Sequence, residues 1–387
     1  MTSTPVDRPA VLGMVGAGQL ARMTHQATVG LAWPFRVFAE HPQESAAGVH
    51  GDVAVGSIAS FDDLDAFAAG CDVVTFDHEL VDPDVLARLE DAGHVLRPSA
   101  TALRHAQDKL HQRRRLSAAG FPVPAFAAVE APDDLVAFGD EHGWPVVAKA
   151  VRGGYDGRGV WVVEDADAAR ALFDEARDHG TDLLVEELVP IERELAVAVA
   201  RRPSGESVTY PTTETVQRDG ILVELLVPAP VPADVRDAAR DLGTRIVDAV
   251  DGTGVVAVEL FQTADGLLVN ELAMRPHNSM HWTIEGARTS QFQNHARAVL
   301  DLPLGTTDTT APCVATANVL GPADGSDPRH RLAAALAVPD VGVHLYDKDP
   351  RPGRKVGHVT AVGDDPDDTR GRARRAAAAL TGEGDPA

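Results

Sequence analysis

GVVAVELFQTADGLLVNELAMRPHNSMHW, residues 254–282, holds two apolar runs, Val255 to Phe261 and Leu267 to Leu272, separated by Ala264, Asp265 and Gly266. That is the pattern of a β-hairpin with a short, glycine-containing loop. A turn centred on Asp265 puts Glu259 directly opposite Glu271, on one face of the sheet with Cβ atoms about 4.5–5.5 Å apart. Two carboxylates so placed repel, or shift a pKa, unless a positive charge lies between them. A magnesium ion carrying nucleotide phosphates is the usual answer. Asn270 adds a neutral oxygen ligand, and Arg275, His277 and Asn278 follow as anion-binding and proton-handling groups. The competing reading is an ordinary hairpin with acids on its wet face. A slip of one residue in the turn would send the two carboxylates to opposite faces.

At 387 residues the chain is long enough for two or three cores. Its net charge of −23 argues against nucleic acid or an anionic membrane as the main partner. An anionic substrate must therefore be drawn in by a local cluster. Only four of the 35 basic residues are lysines, Lys109, Lys149, Lys348 and Lys355. Where arginine serves almost everywhere, a retained lysine points to a need for a compact ammonium. Cys71 and Cys313 read as small packed residues, not a disulfide, which fits a reducing cytoplasm. No apolar run approaches the ~18 residues of a membrane span, and the N-terminus lacks the order of a secretory signal.

From Ala10 to about Arg97 strand and helix patterns alternate, which predicts a parallel α/β sheet. The first crossover carries Gly16-Ala17-Gly18-Gln19-Leu20-Ala21, a G-x-G-x-x-A loop suited to an anion at a helix N-terminus, with Glu40 about 20 residues on. The bare fingerprint is weak evidence for a dinucleotide, and nothing downstream resembles a nicotinamide site. A second region opens near Gln107. Its strand Val146–Ala150 carries Lys149 and runs into RGGYDGRG, residues 152–159, whose glycines can bring backbone N–H groups to phosphates and can move as a lid. The strand-like Leu183–Val189 ends in Glu186 and Glu187, and Glu194 follows, an acceptor set that suits an adenine amine and ribose hydroxyls. Beyond Leu304 come strand Val314–Leu320, the basic motif HLYDKDPRPGRKVGH at 344–358, and a last helix around Thr369–Leu380. The longest loop is expected around Gly321–Pro328.

These motifs together resemble the ATP-grasp superfamily and, within it, the carboxyaminoimidazole ribonucleotide synthase family of purine biosynthesis. The likeness runs from Val11 to about Thr360, through GAGQLARM, DVVTFDHE, QDKL, the glycine loop, EELVPIERELAV, the hairpin with RPHNS, and the basic tail motif. It implies a Rossmann-like pre-ATP-grasp parallel-sheet domain over residues 1–106, an ATP-grasp domain with a mobile lid over 107–304, and a small α+β substrate-phosphate domain over 305–387. It also implies ATP on Lys109, Lys149, Gly154, Tyr155, Asp156, Gly157, Glu186, Glu187, Leu188, Val189, Glu194, Asn270 and Glu271, with two magnesium ions on Glu259 and Glu271. The aminoimidazole ribonucleotide would meet Gly18, Gln19, Leu20, Glu79, Tyr155, Asp156 and Arg158, its phosphate meeting Lys348, Arg354 and Lys355. Asp77 and Leu80 stand where Glu and Asn are more usual, and Met280 where glycine is common.

The resemblance further implies bicarbonate as co-substrate, no NAD and no biotin, a cytoplasmic homodimer, and transient hand-over of product to a separate mutase. The expected reaction passes through carboxyphosphate, with Arg275, His277, Asn278 and Asp156 as the catalytic group. Two alternatives stand beside it: a related formate-dependent glycinamide ribonucleotide ligase, and a nicotinamide-dependent oxidoreductase or binding module resting on Gly16 to Ala21 and Glu40.

Overall fold

The computed structural model describes residues 9–154 and 159–382. Its first segment runs β1 (Leu12–Val15), α1 (Gln19–Val29), β2 (Phe35–Ala39), β3 (Val53–Val55), α2 (Phe61–Ala68), β4 (Val73–Phe76) and α3 (Pro83–Asp91). The four strands form a parallel sheet in the order β3-β2-β1-β4. This matches the alternation in the sequence, since β1 and β4 are buried throughout and need helical crossovers on both faces.

Two helices, α4 (Ala100–Gln107) and α5 (Lys109–Ala118), meet at Asp108. That residue ends α4, and its side chain accepts the His111 N–H to cap α5, which turns the chain sharply and sets Lys109 at the new helix's start. Next come β5 (Phe126–Val129), α6 (Pro132–His142), β6 (Val146–Ala150), β7 (Val160–Val163), α7 (Ala166–Asp178) and β8 (Leu183–Glu187). They build an antiparallel sheet of order β5-β8-β6-β7, with Leu135, Phe138 and Leu172 of the helices packed on Val146 and Val185. Because side chains alternate along β6, Val146 and Ala148 enter that core while Lys149 leaves by the other face.

The remainder comprises β9 (Arg193–Arg201), β10 (Ser207–Thr209), β11 (Thr213–Arg218), β12 (Ile221–Val227), α8 (Ala233–Ala249), β13 (Gly254–Thr263), β14 (Gly266–Ala273), α9 (Thr283–Gly286), α10 (Gln291–Val299), β15 (Cys313–Leu320), α11 (Leu332–Leu336), β16 (Val341–Leu345), β17 (Lys355–Gly363) and α12 (Pro366–Thr381). All nine strands join one antiparallel sheet, β14-β13-β9-β11-β12-β15-β17-β16, with β10 added to β9. The C-terminal segment is thus continuous with the hairpin's sheet through the β12–β15 pairing, Glu224 opposite Ala317. Among the described residues the stretches between β2 and β3 (40–52) and between α10 and β15 (300–312) are both longer than the loop expected around 321–328; the second is held by Asn294, whose side chain bonds both the Gly305 N–H and C=O. Cys71 and Cys313 are free and partly buried.

Candidate active site

The hairpin brings Glu259 opposite Glu271, by a route the sequence pattern does not reveal. Its turn is the two residues Ala264 and Asp265, with Thr263 paired to Gly266, one step away from a turn centred on Asp265. Continued unbroken, that register would set Glu259 against Asn270 and point Glu271 to the other face. A bulge corrects it: Leu260 pairs with Val269 and Glu259 with Glu271, so Asn270 is the extra residue. The bulged Asn270 then has two jobs. Its carbonyl accepts from the Arg113 guanidinium at 2.6 Å, and its Oδ1 from Lys149 Nζ at 3.4 Å.

The two carboxylates differ in charge state. Burial, with the charges of Glu271 and Glu194 beside it, pushes Glu259 up to about 8. Burial would raise Glu271 as well, but the Lys109 ammonium 3.0 Å away prevails and holds it down to about 2. One acid therefore keeps a proton at neutral pH and its neighbour does not. Such a pair, with a neutral oxygen from Asn270 alongside, is a set of hard oxygen donors, and it fits a divalent cation that displaces the Glu259 proton. Glu194, raised by burial and bonded by Gln217, lies within electrostatic reach of both.

Behind the hairpin sits a buried ion cluster. Glu186 accepts from Arg113 Nε at 2.6 Å and from Lys149 Nζ at 2.7 Å, all three side chains being at most 10% exposed. Burial favours the neutral form of Glu186, yet the two cations overcome it and keep the carboxylate below its usual range. Arg113 escaped the sequence reading because it sits in an Arg-Arg-Arg run. The usable signal was its position four residues after Lys109, which puts both on one face of α5. Glu187 turns away to bond the Ala125 N–H, and β8 ends there, so Leu188, exposed, and Val189, buried, lie beyond the ladder.

After β14 the chain is held from two sides. Glu79 bonds Arg275 Nε with one oxygen at 2.8 Å and the Met274 N–H with the other at 3.1 Å, so in this structure it orients Arg275. The Gln291 side chain both accepts from the His277 N–H and donates to the His277 carbonyl. His277 Nδ1 lies 2.8 Å from Ser279 Oγ and 3.6 Å from Glu259 Oε1. Asn278 Nδ2 is buried with no hydrogen-bond partner among the described residues, a donor awaiting an acceptor. Ser279 ends the RPHNS motif, yet the sequence gives neither its hydroxyl nor the Gln291 amide a role of its own.

The glycine loop after β1 contributes differently from its expected anion cradle. Asp77 Oδ2 accepts the Gly18 N–H and Oδ1 the Ala21 N–H, both at 2.8 Å. The protein's own carboxylate occupies the place where a dinucleotide phosphate would bind, and the oxidoreductase reading loses its one support. A Cβ on Gly18 would lie 2.3 Å from Asp77 Oδ2. Gly18→Ala is therefore expected to expel this cap and cost about 0.5–2 kcal/mol in thermal or chemical unfolding; an unchanged midpoint would contradict the assignment. The Leu20 side chain is buried in the core, and Gln19 Oε1 accepts from Lys348 Nζ, joining this loop to the basic tail motif. Lys355 lies near enough for its charge to act on Glu259, while Arg354 is exposed and reaches the Asp349 carbonyl. Tyr155, Asp156, Gly157 and Arg158 fall outside the described residues, and Gly154 borders them.

Family models match the chain in three stretches: a ribonucleotide synthetase preATP-grasp domain at residues 10–107, an ATP-grasp domain at 114–292, and a phosphoribosylaminoimidazole carboxylase C-terminal domain at 315–372. The N5-carboxyaminoimidazole ribonucleotide synthase of Mycobacterium tuberculosis H37Rv is 50% identical over 362 residues, covering 92% of this chain and 84% of that protein. The enzyme of the same name from Bacillus subtilis is 36% identical, covering 91% of each. Among solved structures, the N5-carboxyaminoimidazole ribonucleotide synthetase of Thermus thermophilus superposes with a TM-score of 0.86 at 36% identity, over 96% of this chain and 99% of that one. The synthase of Aspergillus clavatus, solved with ADP and 5-aminoimidazole ribonucleotide, gives 0.86 at 31% identity over 96% and 98%. On these likenesses, and not the formate-dependent alternative, the chain belongs to the N5-carboxyaminoimidazole ribonucleotide synthase family of ATP-grasp enzymes.

Proposed function

We propose that this protein uses ATP and bicarbonate to carboxylate the exocyclic amine of 5-aminoimidazole ribonucleotide. A bicarbonate oxygen bonds to the γ-phosphorus as the bond to the β-phosphate oxygen breaks, giving carboxyphosphate and ADP. The amine nitrogen then bonds to the carboxyl carbon, phosphate leaves, and the nitrogen gives up one proton. The observation that carries this reading is the opposed Glu259–Glu271 pair beside Lys109 and Lys149.

Glu259 and Glu271, with Asn270, would hold magnesium, which when bound offsets charge on the phosphoryl group in transfer. Lys109 and Lys149 stand where they can meet ATP phosphates, and the chain from Glu186 to Val189 supplies the adenine wall, with Glu194 for the ribose. Arg275, fixed by Glu79, and the Asn278 Nδ2 group, without a partner among the described residues, supply donors for bicarbonate and carboxyphosphate. His277, its backbone clamped by Gln291, is the proton acceptor. Lys348, Arg354 and Lys355 take the ribonucleotide phosphate, and Gln19 positions Lys348. Tyr155, Asp156, Gly157 and Arg158 complete the lid in this reading. The family resemblance adds a homodimer, hand-over to a mutase and a cytoplasmic setting; among the described residues no helix is long and apolar enough to cross a membrane.

ADP release should require bicarbonate and the aminoimidazole ribonucleotide together, and formate should not replace bicarbonate. Bicarbonate-independent turnover would end the proposal. Proton linkage offers a second check. With Glu259 raised to about 8, a cation binding at pH 7 must displace its proton. Calorimetry in two buffers of different ionisation enthalpy should show about one proton released per magnesium or manganese ion at pH 7, falling towards none above pH ~9. A pH-independent binding enthalpy would contradict the assignment.

A further inference from the structure

Away from the hairpin, the same sheet carries a second set of metal-type ligands. His344 of β16 stands directly opposite His358 of β17, so both imidazoles rise from one face of the sheet at the close spacing of a cross-strand pair. Asn318 of β15 is opposite His358 on its other side, which extends the row across three strands. Glu285 of α9 packs down on it, with Oε1 2.6 Å from His344 Nε2. One ligand atom each from Glu285, His344 and His358 all lie within 4.8 Å of one another. Bonds of ~2.0–2.2 Å to a tetrahedral metal require ligand atoms ~3.3–3.6 Å apart, a small side-chain adjustment from that arrangement.

The row is also incompletely bonded. Glu285 Oε2, Asn318 Oδ1 and His358 Nε2 are buried with no hydrogen-bond partner among the described residues. The Asn318 amide is oriented by its Nδ2–H bond to the Leu222 carbonyl, which leaves Oδ1 as a pure acceptor. His358 Nδ1 is 2.6 Å from Tyr346 Oη; with the proton on Nδ1, Nε2 becomes an acceptor too. Two buried oxygens, Glu285 Oε2 and Asn318 Oδ1, together with His358 Nε2 in that tautomer, make a set of acceptors that a cation satisfies. In that tautomer the Nδ1–H donates to Tyr346 Oη, the kind of outer contact that orients a metal-binding imidazole. Access from solvent is provided by His344 and Glu285, whose side chains are 21% and 24% exposed.

We propose that Glu285, His344 and His358 form a binding site for a divalent transition metal of the zinc class, with Asn318 beside it. Two imidazoles and one carboxylate suit a borderline cation such as Zn²⁺ and not magnesium, which prefers oxygen ligands alone. The site is distinct from the hairpin acids and would fasten α9 to β16 and β17, the strands flanking the Lys348–Lys355 motif. Gly342 provides a probe that removes no ligand: a Cβ there would lie 2.4 Å from Glu285 Oε1 and push the carboxylate off the row.

The test uses the full chain stripped with a chelator and titrated with Co²⁺. Wild type should give visible d–d bands saturating near one equivalent, displaced by Zn²⁺, and Zn²⁺ should raise the melting temperature. The bands should survive Glu271→Gln, which removes the hairpin site, and should weaken about 10–100-fold in apparent affinity in Glu285→Gln, His344→Asn and Gly342→Ala. Where His344→Asn lowers the stability of the metal-free protein, Gly342→Ala decides. Absence of the bands, their loss in Glu271→Gln, or a Co²⁺ affinity indifferent to Gly342→Ala and Glu285→Gln would overturn the proposal, as would a water alone at this position in zinc-soaked crystals.

Discussion

Glu271→Ala is expected to lower turnover by about 10²-fold or more, the loss seen when a major electrostatic stabiliser of a developing charge is removed. Glu259→Gln should do the same to turnover, and its effect on stability separates a cation site from an ordinary acidic hairpin. Without metal, Glu259 holds its proton up to about pH 8, against an ordinary carboxyl value of 4.5. Between those two values the folded state binds more protons than the unfolded one, so stability falls as pH rises through the window. Glutamine resembles the protonated acid and has no proton to lose. The metal-free Glu259→Gln protein should therefore match wild type near pH 5 and exceed it near pH 8, while remaining almost inactive at both. Glu271 contributes with the opposite sign. Its value of about 2 lies below 4.5, so its stabilising pairing with Lys109 is present above pH 4.5 and lost as pH falls towards 2. Steady-state rates and denaturation curves at the two pH values check both halves. A Glu271→Ala enzyme within a few-fold of wild type would remove the pair from the chemistry.

Glu186→Gln is expected to produce the largest loss of stability. Glu186 neutralises two buried cations at once, Arg113 at 2.6 Å and Lys149 at 2.7 Å. Taking away one partner of a buried ion pair typically costs about 3–5 kcal/mol, because the remaining charge keeps its desolvation penalty. Here two charges are left, and Arg113 also holds the Asn270 carbonyl at the bulge. The damage should therefore reach the hairpin register, and nucleotide binding should weaken together with the denaturation midpoint. Arg113→Lys should recover little of either, because one ammonium cannot bond both Glu186 and Asn270 in the guanidinium's planar geometry. A Glu186→Gln change below about 1 kcal/mol would show that water or another group already compensates the cluster.

Much of this was legible in the residues, for physical reasons that differ from place to place. The parallel N-terminal sheet announces itself because fully buried strands separated by helical crossovers leave a strong alternating pattern. The hairpin announces itself through its turn residues and the two glutamates. What the sequence could not display is the compensation of one irregularity by another: a two-residue turn offset by one, and a bulge at Asn270 that restores the pairing. The Glu259–Glu271 pairing is found as expected, though a turn centred on Asp265 was the wrong reason for it. Side chains that serve by holding distant parts of the chain were equally hidden. Asp77, Arg113 and Gln291 look like any acid, arginine or glutamine until the fold brings their partners from 56, 73 and 14 residues away. Glu79 shows the same limit: its bonds to the Arg275 side chain and the Met274 N–H reach 196 and 195 residues along the chain and leave no local signature.

In the proposed reaction Glu259 and Glu271 together hold a divalent ion that is shared with ATP. Crystals grown with ADP and Mn²⁺, measured at the manganese absorption edge, address it directly. An anomalous peak is expected within ~2.0–2.5 Å of a carboxylate oxygen from each glutamate and of a nucleotide phosphate oxygen. Nucleotide bound with no such peak, or a peak that touches neither carboxylate, would contradict it.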